Sequence, residues 1–232
     1  MPIVFVQGFT QTAAAWQHAV DGLPRREDAI VFDQLPIGPT FTATADAIGE
    51  HAGPGVYVGY SMGGRLCLRL ALDRPDVVCG LVLVSASPGL RTDAERETRI
   101  AADEALAVDI ERDGVDAFLD RWLAQPMFAS IPAGRSGIDE RRRLRPEYLT
   151  ACLRVLGTGA MEPLWDRLPD LEMPVLIVTG TRDAKFDAIG REMGAAIGTN
   201  AASLRVDGGH ALLLERPAEL RDAVVAFARG HD

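Results

Sequence analysis

Six short apolar runs, each bounded by turn residues, constrain this chain more than any other feature. They lie at 2–6, 29–32, 56–60, 78–84, 175–178 and 203–206. Most are rich in Val and Ile and do not alternate strictly with polar residues, the pattern of strands covered on both faces. Helical periods fall between them, at 42–52, 62–73, 187–197 and 217–228, the last opening on Pro217 as helix starts often do. Strand alternating with helix predicts an α/β fold: a doubly wound, mostly parallel sheet with right-handed crossovers. One section breaks the alternation. From 91 to 168 no strand pattern appears; the stretch is charged and helical in period, with Ile100, Leu106, Ile110, Phe118 and Trp122 as apolar anchors. The expectation is a core made of 1–90 and 169–232, with 91–168 inserted as a helical cap.

A hydrophobic fraction of 47% over 232 residues supplies a sizeable core and excludes the disordered class. No apolar run reaches the length of a membrane span. "MPIVFVQGF" lacks a basic segment followed by a long apolar one, so no secretory signal is expected. Cys67, Cys79 and Cys152 sit in apolar surroundings without metal-ligand spacing; they read as reduced core residues of a cytoplasmic protein, and neither metal nor cofactor is expected. A formal charge of −9 disfavours nucleic acid or an anionic membrane as partner. It leaves room for a small anionic substrate, because a few local arginines reverse the field inside a pocket.

The stretch "YVGYSMGGRL" ends a strand pattern on Ser61, between Gly59 and Gly63, and opens a helical one. Open parallel sheets place their chemistry at the carboxyl ends of strands. A sharp strand-to-helix turn there needs small neighbours and leaves the serine hydroxyl exposed, the nucleophile-elbow arrangement. Serine needs an imidazole to activate it. His18 and His51 belong to helical stretches and His231 is penultimate, whereas His210 follows the last strand pattern in "VDGGHALLLERP". The imidazole needs a carboxylate to orient it. Asp183, just past the strand in "VLIVTGTRDAKF", gives the chain order Ser61, Asp183, His210. Asp187, Asp207 and Asp33 are its rivals. Two donors must face a developing oxyanion; the Met62 N–H and the Phe9 N–H, in the loop "VQGFT" where Gly8 allows a close turn, are the candidates.

Arg65 stands one helical turn beyond Ser61 and Arg69 a turn further. Spacing alone leaves Arg65 evenly divided between pocket and solvent, and assigns Arg69 to a solvated face. The cap adds Arg91, Arg99 and the cluster Arg141, Arg142, Arg143 and Arg145, any of which would suit a carboxylate if turned inward. Trp122 and Trp165 read first as cap core.

"GYSMGGR", "GFT", "SPGL", "QPMFAS", "LGTGAM" followed by "LW", and "GTRDAKF" together resemble one family of the α/β-hydrolase fold: the menaquinone-pathway 2-succinyl-6-hydroxy-2,4-cyclohexadiene-1-carboxylate synthases. The resemblance covers nearly the whole chain. It implies a lyase-type elimination of pyruvate from an enolpyruvyl cyclohexene carboxylate, with Ser61, His210 and Asp183 as a triad acting as base and Phe9 and Met62 as oxyanion donors. It also implies that Tyr60, Arg65, Arg99 and Trp122 bind the substrate, along with one arginine from 141–145. Gln7 stands where the family has histidine in an "HGF" motif, and Lys185 of "RDAKF" has no assigned role. Two other readings remain open: an α/β-hydrolase acting on a small carboxylated ester, thioester or carbon–carbon bond, and a catalytically silent binding protein on the same fold.

Overall fold

In the computed structural model, which describes residues 1–23 and 25–230, the apolar runs become six strands: β1 (Ile3–Val6), β2 (Ala29–Val31), β3 (Gly55–Tyr60), β4 (Val78–Val84), β5 (Val175–Gly180) and β6 (Ala201–Val206). They form one sheet in the order β2-β1-β3-β4-β5-β6, every neighbouring pair parallel. From β1 the chain moves to one side for β2 and then to the other for β3. The strand order therefore reverses between β1 and β3, where open α/β sheets form a crevice at the carboxyl ends. His231 lies outside the described residues.

The helices of the sheet layers are α1 (Gln17–Asp21), α2 (Phe41–Ala52) and α3 (Met62–Asp73). Alternate strand residues face opposite layers. Val4, Val6, Tyr57, Leu81 and Leu83 pack with Ile48 of α2 and Leu66 and Leu70 of α3, while Phe5, Val58, Val82 and Val178 join the apolar set around Trp16 and Ala19 on the other face. Both faces are apolar, which is why the strands show no polar alternation. Each fully buried side chain of this kind contributes about 1.5–3 kcal/mol.

Between β4 and β5 no strand occurs among the described residues. The segment holds α4 (Asp93–Leu123), α5 (Ile138–Arg141) and α6 (Pro146–Leu156), with short 3₁₀ turns. Thr92 and Glu95 form a reciprocal capping box that starts α4. Gly114, at φ 82°, divides α4 at a kink, so its two halves can follow the body of the protein. Ala107, Ile110 and Phe118 are buried and join the apolar cluster that includes Leu149 and Leu153 of α6. Ile100 does not serve as the anchor the sequence suggests: it is 49% exposed. It sits against Gly159, where a Cβ would come within 2.9 Å of its Cγ1.

After β5 come α7 (Ala184–Ile197), α8 (Leu212–Glu215) and α9 (Pro217–Arg229). α7 begins three residues earlier than its apolar period indicates, because the Asp183 carboxylate accepts the Phe186 N–H and caps it. α7 lies on the face of α2 and α3; Leu220 and Val224 of α9 lie on the face of α1. No helix of the described residues is long and apolar enough to cross a membrane.

Candidate active site

Ser61 occupies the turn between β3 and α3 with φ 50° and ψ −106°, a conformation non-glycine residues rarely adopt. Tight packing holds it there. A Cβ on Gly59 would lie 2.5 Å from Gly64 Cα, one on Gly63 would run into Val6 O, and one on Gly64 would lie 2.5 Å from Ala86 Cβ. The start of α3 therefore presses directly on β1 and on the end of β4. Gly59 and Gly63 were legible as small neighbours; the need for Gly64 is not visible without the fold.

His210 follows β6 and is 2% exposed. Its Nδ1 lies 2.7 Å from Asp183 Oδ2 and its Nε2 lies 3.3 Å from Ser61 Oγ. The carboxylate keeps a proton on Nδ1, which leaves Nε2 free to accept the serine proton. Asp183 thus divides its oxygens, one to cap α7 and one to the imidazole. The loops carrying the two residues are tied together by Arg182 N–H donating to Gly208 O at 2.9 Å. The rival carboxylates are engaged elsewhere. Asp187 is held by Arg205, Arg191 and Thr179, and Asp207 is paired with Arg182 and Arg216. Asp33 is exposed, and its backbone carbonyl accepts the Gln7 amide at 3.2 Å.

Gln7 is buried and ties the loop after β1 to the segment after β2; its Oε1 has no partner among the described residues. In that loop Thr10, not Gly8, takes the positive φ, 66°. Gly8 is small for a different reason: a Cβ there would lie 2.6 Å from the Tyr60 ring. The Phe9 N–H finds no acceptor among the described residues, and the Met62 N–H is an orphan donor of the first turn of α3.

A cavity of about 320 Å³ opens over Ser61 and His210. Phe9, Tyr60, Met62, Arg65, Arg99 and Trp122 all line it. Arg65 is 7% exposed and donates to Leu156 O at 2.7 Å and to Met161 Sδ at 3.5 Å. Burial, helped by repulsion from Arg99, pushes its guanidinium down to about 9. Of the arginine run, Arg141 is the one that faces the cavity. It is 3% exposed, donates to Ser136 O at 2.8 Å and to Thr10 Oγ1, and is pushed down by burial to about 10. Arg142 pairs with Asp116 and Asp120, Arg143 with Glu140, and Arg145 is exposed. Among the described residues neither Arg65 nor Arg141 bonds a carboxylate, whereas Arg99 meets Asp103 at 2.8 Å.

Arg69 is not on a solvated face; it is largely covered and paired with Asp73, away from the cavity. Arg91 stacks 3.7 Å over the Trp165 ring and pairs with Glu192, so Trp165 belongs to the packing of the helical segment. Trp122 lines the cavity edge-on to Phe9, and its indole N–H has no partner among the described residues. Several cavity residues escaped the sequence reading, among them Asp103, Phe186 and Phe128. Asp103 was detectable as the i+4 neighbour of Arg99. Phe186, 4.5 Å from the His210 ring, and Phe128 stand inside "GTRDAKF" and "QPMFAS", where neither was given a role. Lys185, the chain's single lysine, is exposed and lines the cavity.

The chain belongs to the Alpha/beta hydrolase family, whose profile matches residues 3–223. Within it, the chain resembles proteins that carry the name 2-succinyl-6-hydroxy-2,4-cyclohexadiene-1-carboxylate synthase. One from Citrobacter koseri is 31% identical over 175 residues, 74% of this chain and 67% of that one. A Bacillus subtilis relative, provisionally given the same name, is 38% identical over 167 residues. That match covers 69% of this chain and spans 60% of the relative's length. The structure of MenH from S. aureus superposes with a TM-score of 0.90 at 26% identity, covering 100% of this chain and 94% of that one. An esterase from Thermogutta terrifontis, at 22% identity and a TM-score of 0.77, shares the fold.

Proposed function

We propose that this chain is a lyase-type synthase that eliminates pyruvate from a succinyl-, enolpyruvyl-bearing cyclohexene carboxylate, the reaction its named relatives suggest. The observation that carries the reading is electrostatic. Two buried guanidinium groups, Arg65 and Arg141, stand on the cavity of Ser61 and His210 with only neutral hydrogen-bond partners among the described residues, the Asp103 carboxylate acting on Arg65 without bonding it. A buried cation without an anion is costly. A substrate carboxylate offsets that cost, and charge-assisted bonds of this kind contribute about 1.5–3 kcal/mol each. Arg99 and the unpartnered Trp122 indole add further polar contacts to a substrate with several carboxylates.

Ser61, His210 and Asp183 act as the base. Ser61 Oγ takes the ring proton as its own proton passes to His210 Nε2, and Asp183 stabilises the imidazolium. The C–H electron pair becomes the new double bond by way of a charge on the adjacent ketone oxygen. The Phe9 and Met62 N–H groups hold that oxyanion, each donor being worth about 10²–10³ in rate. The carbon–oxygen bond to the enolpyruvyl group then breaks, and the leaving enolate takes a proton to become pyruvate. Tyr60 closes the wall behind Ser61. The segment 91–168 serves as a cap on a core of 1–90 and 169–232, supplying Arg99, Trp122 and Arg141. No step requires a metal or cofactor.

The test is incubation with the enolpyruvyl substrate while free pyruvate is followed. The reading expects one pyruvate for each ring product. Hydrolysis of carboxylated esters at Ser61 with no pyruvate released would make the chain a hydrolase instead.

A further inference from the structure

Glu215 ends α8 and is 2% exposed. Its carboxylate reaches back over the loop that carries His210. Oε2 accepts the Gly209 N–H at 2.6 Å and Oε1 accepts the Ala211 N–H at 3.1 Å. The N–H groups of the residues on either side of the histidine thus hang from one side chain. The fit is close: a Cβ on Gly209 would lie 3.0 Å from Glu215 Oε1. No arginine or lysine side chain is bonded to this carboxylate among the described residues; Arg216, its neighbour, donates to the Glu215 backbone carbonyl and pairs with Asp207 and Glu219. A buried anion held only by backbone donors is expensive unless a positive charge appears nearby. His210, the residue between the two bonded N–H groups, gains a positive charge in each turnover of the proposed reaction.

We propose that Glu215 is a positioning residue for His210. It fixes the imidazole between Ser61 and Asp183 by clamping the flanking N–H groups, and its buried charge favours the imidazolium. The inference rests on the reading of Ser61, His210 and Asp183 as the proton-transfer group. Several other groups face the imidazole. Asp183 bonds it, and Tyr60 and Phe186 stand 5.5 and 4.5 Å from it, ring to ring. Phe128 lies edge-on, while Arg141 of α5 and Lys185 of α7 share its cavity. The two cations oppose the imidazolium; Asp183 and Glu215 support it.

The test labels Ser61 of the full chain with a fluorophosphonate across pH, a reaction that needs the nucleophile and His210 but no natural substrate. Its rate rises as His210 loses its proton. Removing an anion that favours the protonated form lowers the imidazole midpoint. In Glu215→Gln the labelling midpoint therefore moves down by about one pH unit, and the plateau rate falls about tenfold because the amide sets an NH2 donor against one of the two N–H groups. An unmoved midpoint, with the plateau lowered or not, overturns the proposal, since a merely structural group would leave the profile where it is. Should Glu215→Gln not fold, Glu215→Asp answers instead. It keeps the charge but shortens the reach, so the midpoint stays while the plateau falls; an unchanged plateau overturns the proposal. Labelling that behaves as expected in a protein that releases no pyruvate would refute the elimination reaction and leave the role of Glu215 standing.

Discussion

On the sheet side of the cavity, Ser61, Asp183 and His210 each follow the carboxyl end of a parallel strand, and backbone packing fixes their places. On the helical side, Arg99, Trp122 and Arg141 project from α4 and α5, where side chains alone set the geometry. The two walls differ in tolerance. The turn at Ser61 has no slack, because three glycines there touch backbone or a methyl group on first contact. The helical wall kinks at Gly114 and leaves Ile100 half uncovered. The lesson is a division of labour. On the function proposed above, the sheet side supplies the proton-transfer group, and the helical side, together with Arg65, decides which substrate meets it. Arg65 is where the walls join: it grows from α3, and its guanidinium is held by Leu156 and Met161.

Substitutions on the sheet side test this division most severely. His210→Ala should slow pyruvate release by about 10⁴-fold or more while substrate affinity, measured by calorimetry, stays near that of the wild type. An equal loss of affinity would mean that the walls are not separable. Asp183→Asn should cost about 10³–10⁴ in kcat by misorienting the imidazole. The folded state should persist, because asparagine still caps α7; near-full activity would move the acid elsewhere.

The contrast between the walls also explains what could be read without coordinates. Each sheet-side residue sits just past an apolar run, so chain order alone brought Ser61, Asp183 and His210 together on paper. The helical side offered no such marker. Arg141, Arg142, Arg143 and Arg145 look alike in sequence, and only the short α5 turns Arg141 inward while Arg142 and Arg143 meet surface carboxylates. Arg69 looked solvated because its covering partners, Asp73 and Glu162, include one 93 residues away. β6 begins at Ala201, two residues before the run expected at 203–206, because Ala201 and Ala202 pair with Val175 and Leu176 whatever their own preference. Glu215 was hidden for the same reason: its partners are backbone groups, which no side-chain pattern reports.

Smaller effects should come from the cationic groups. Arg65→Ala should raise KM for the anionic substrate about 10- to 100-fold with little change in kcat. Hydrolysis of a neutral ester probe should be unaffected; a matching loss there would give Arg65 a packing role instead. Lys185→Ala should raise KM only about two- to three-fold, since an exposed charge is screened, and the difference should vanish in high salt.

Binding and turnover measured side by side on Ser61→Ala test the central claim most directly. The account predicts that this variant takes up the enolpyruvyl substrate with wild-type affinity and releases no pyruvate above background. Continued pyruvate release from the serine-free protein, or an affinity that collapses with the hydroxyl, would contradict it.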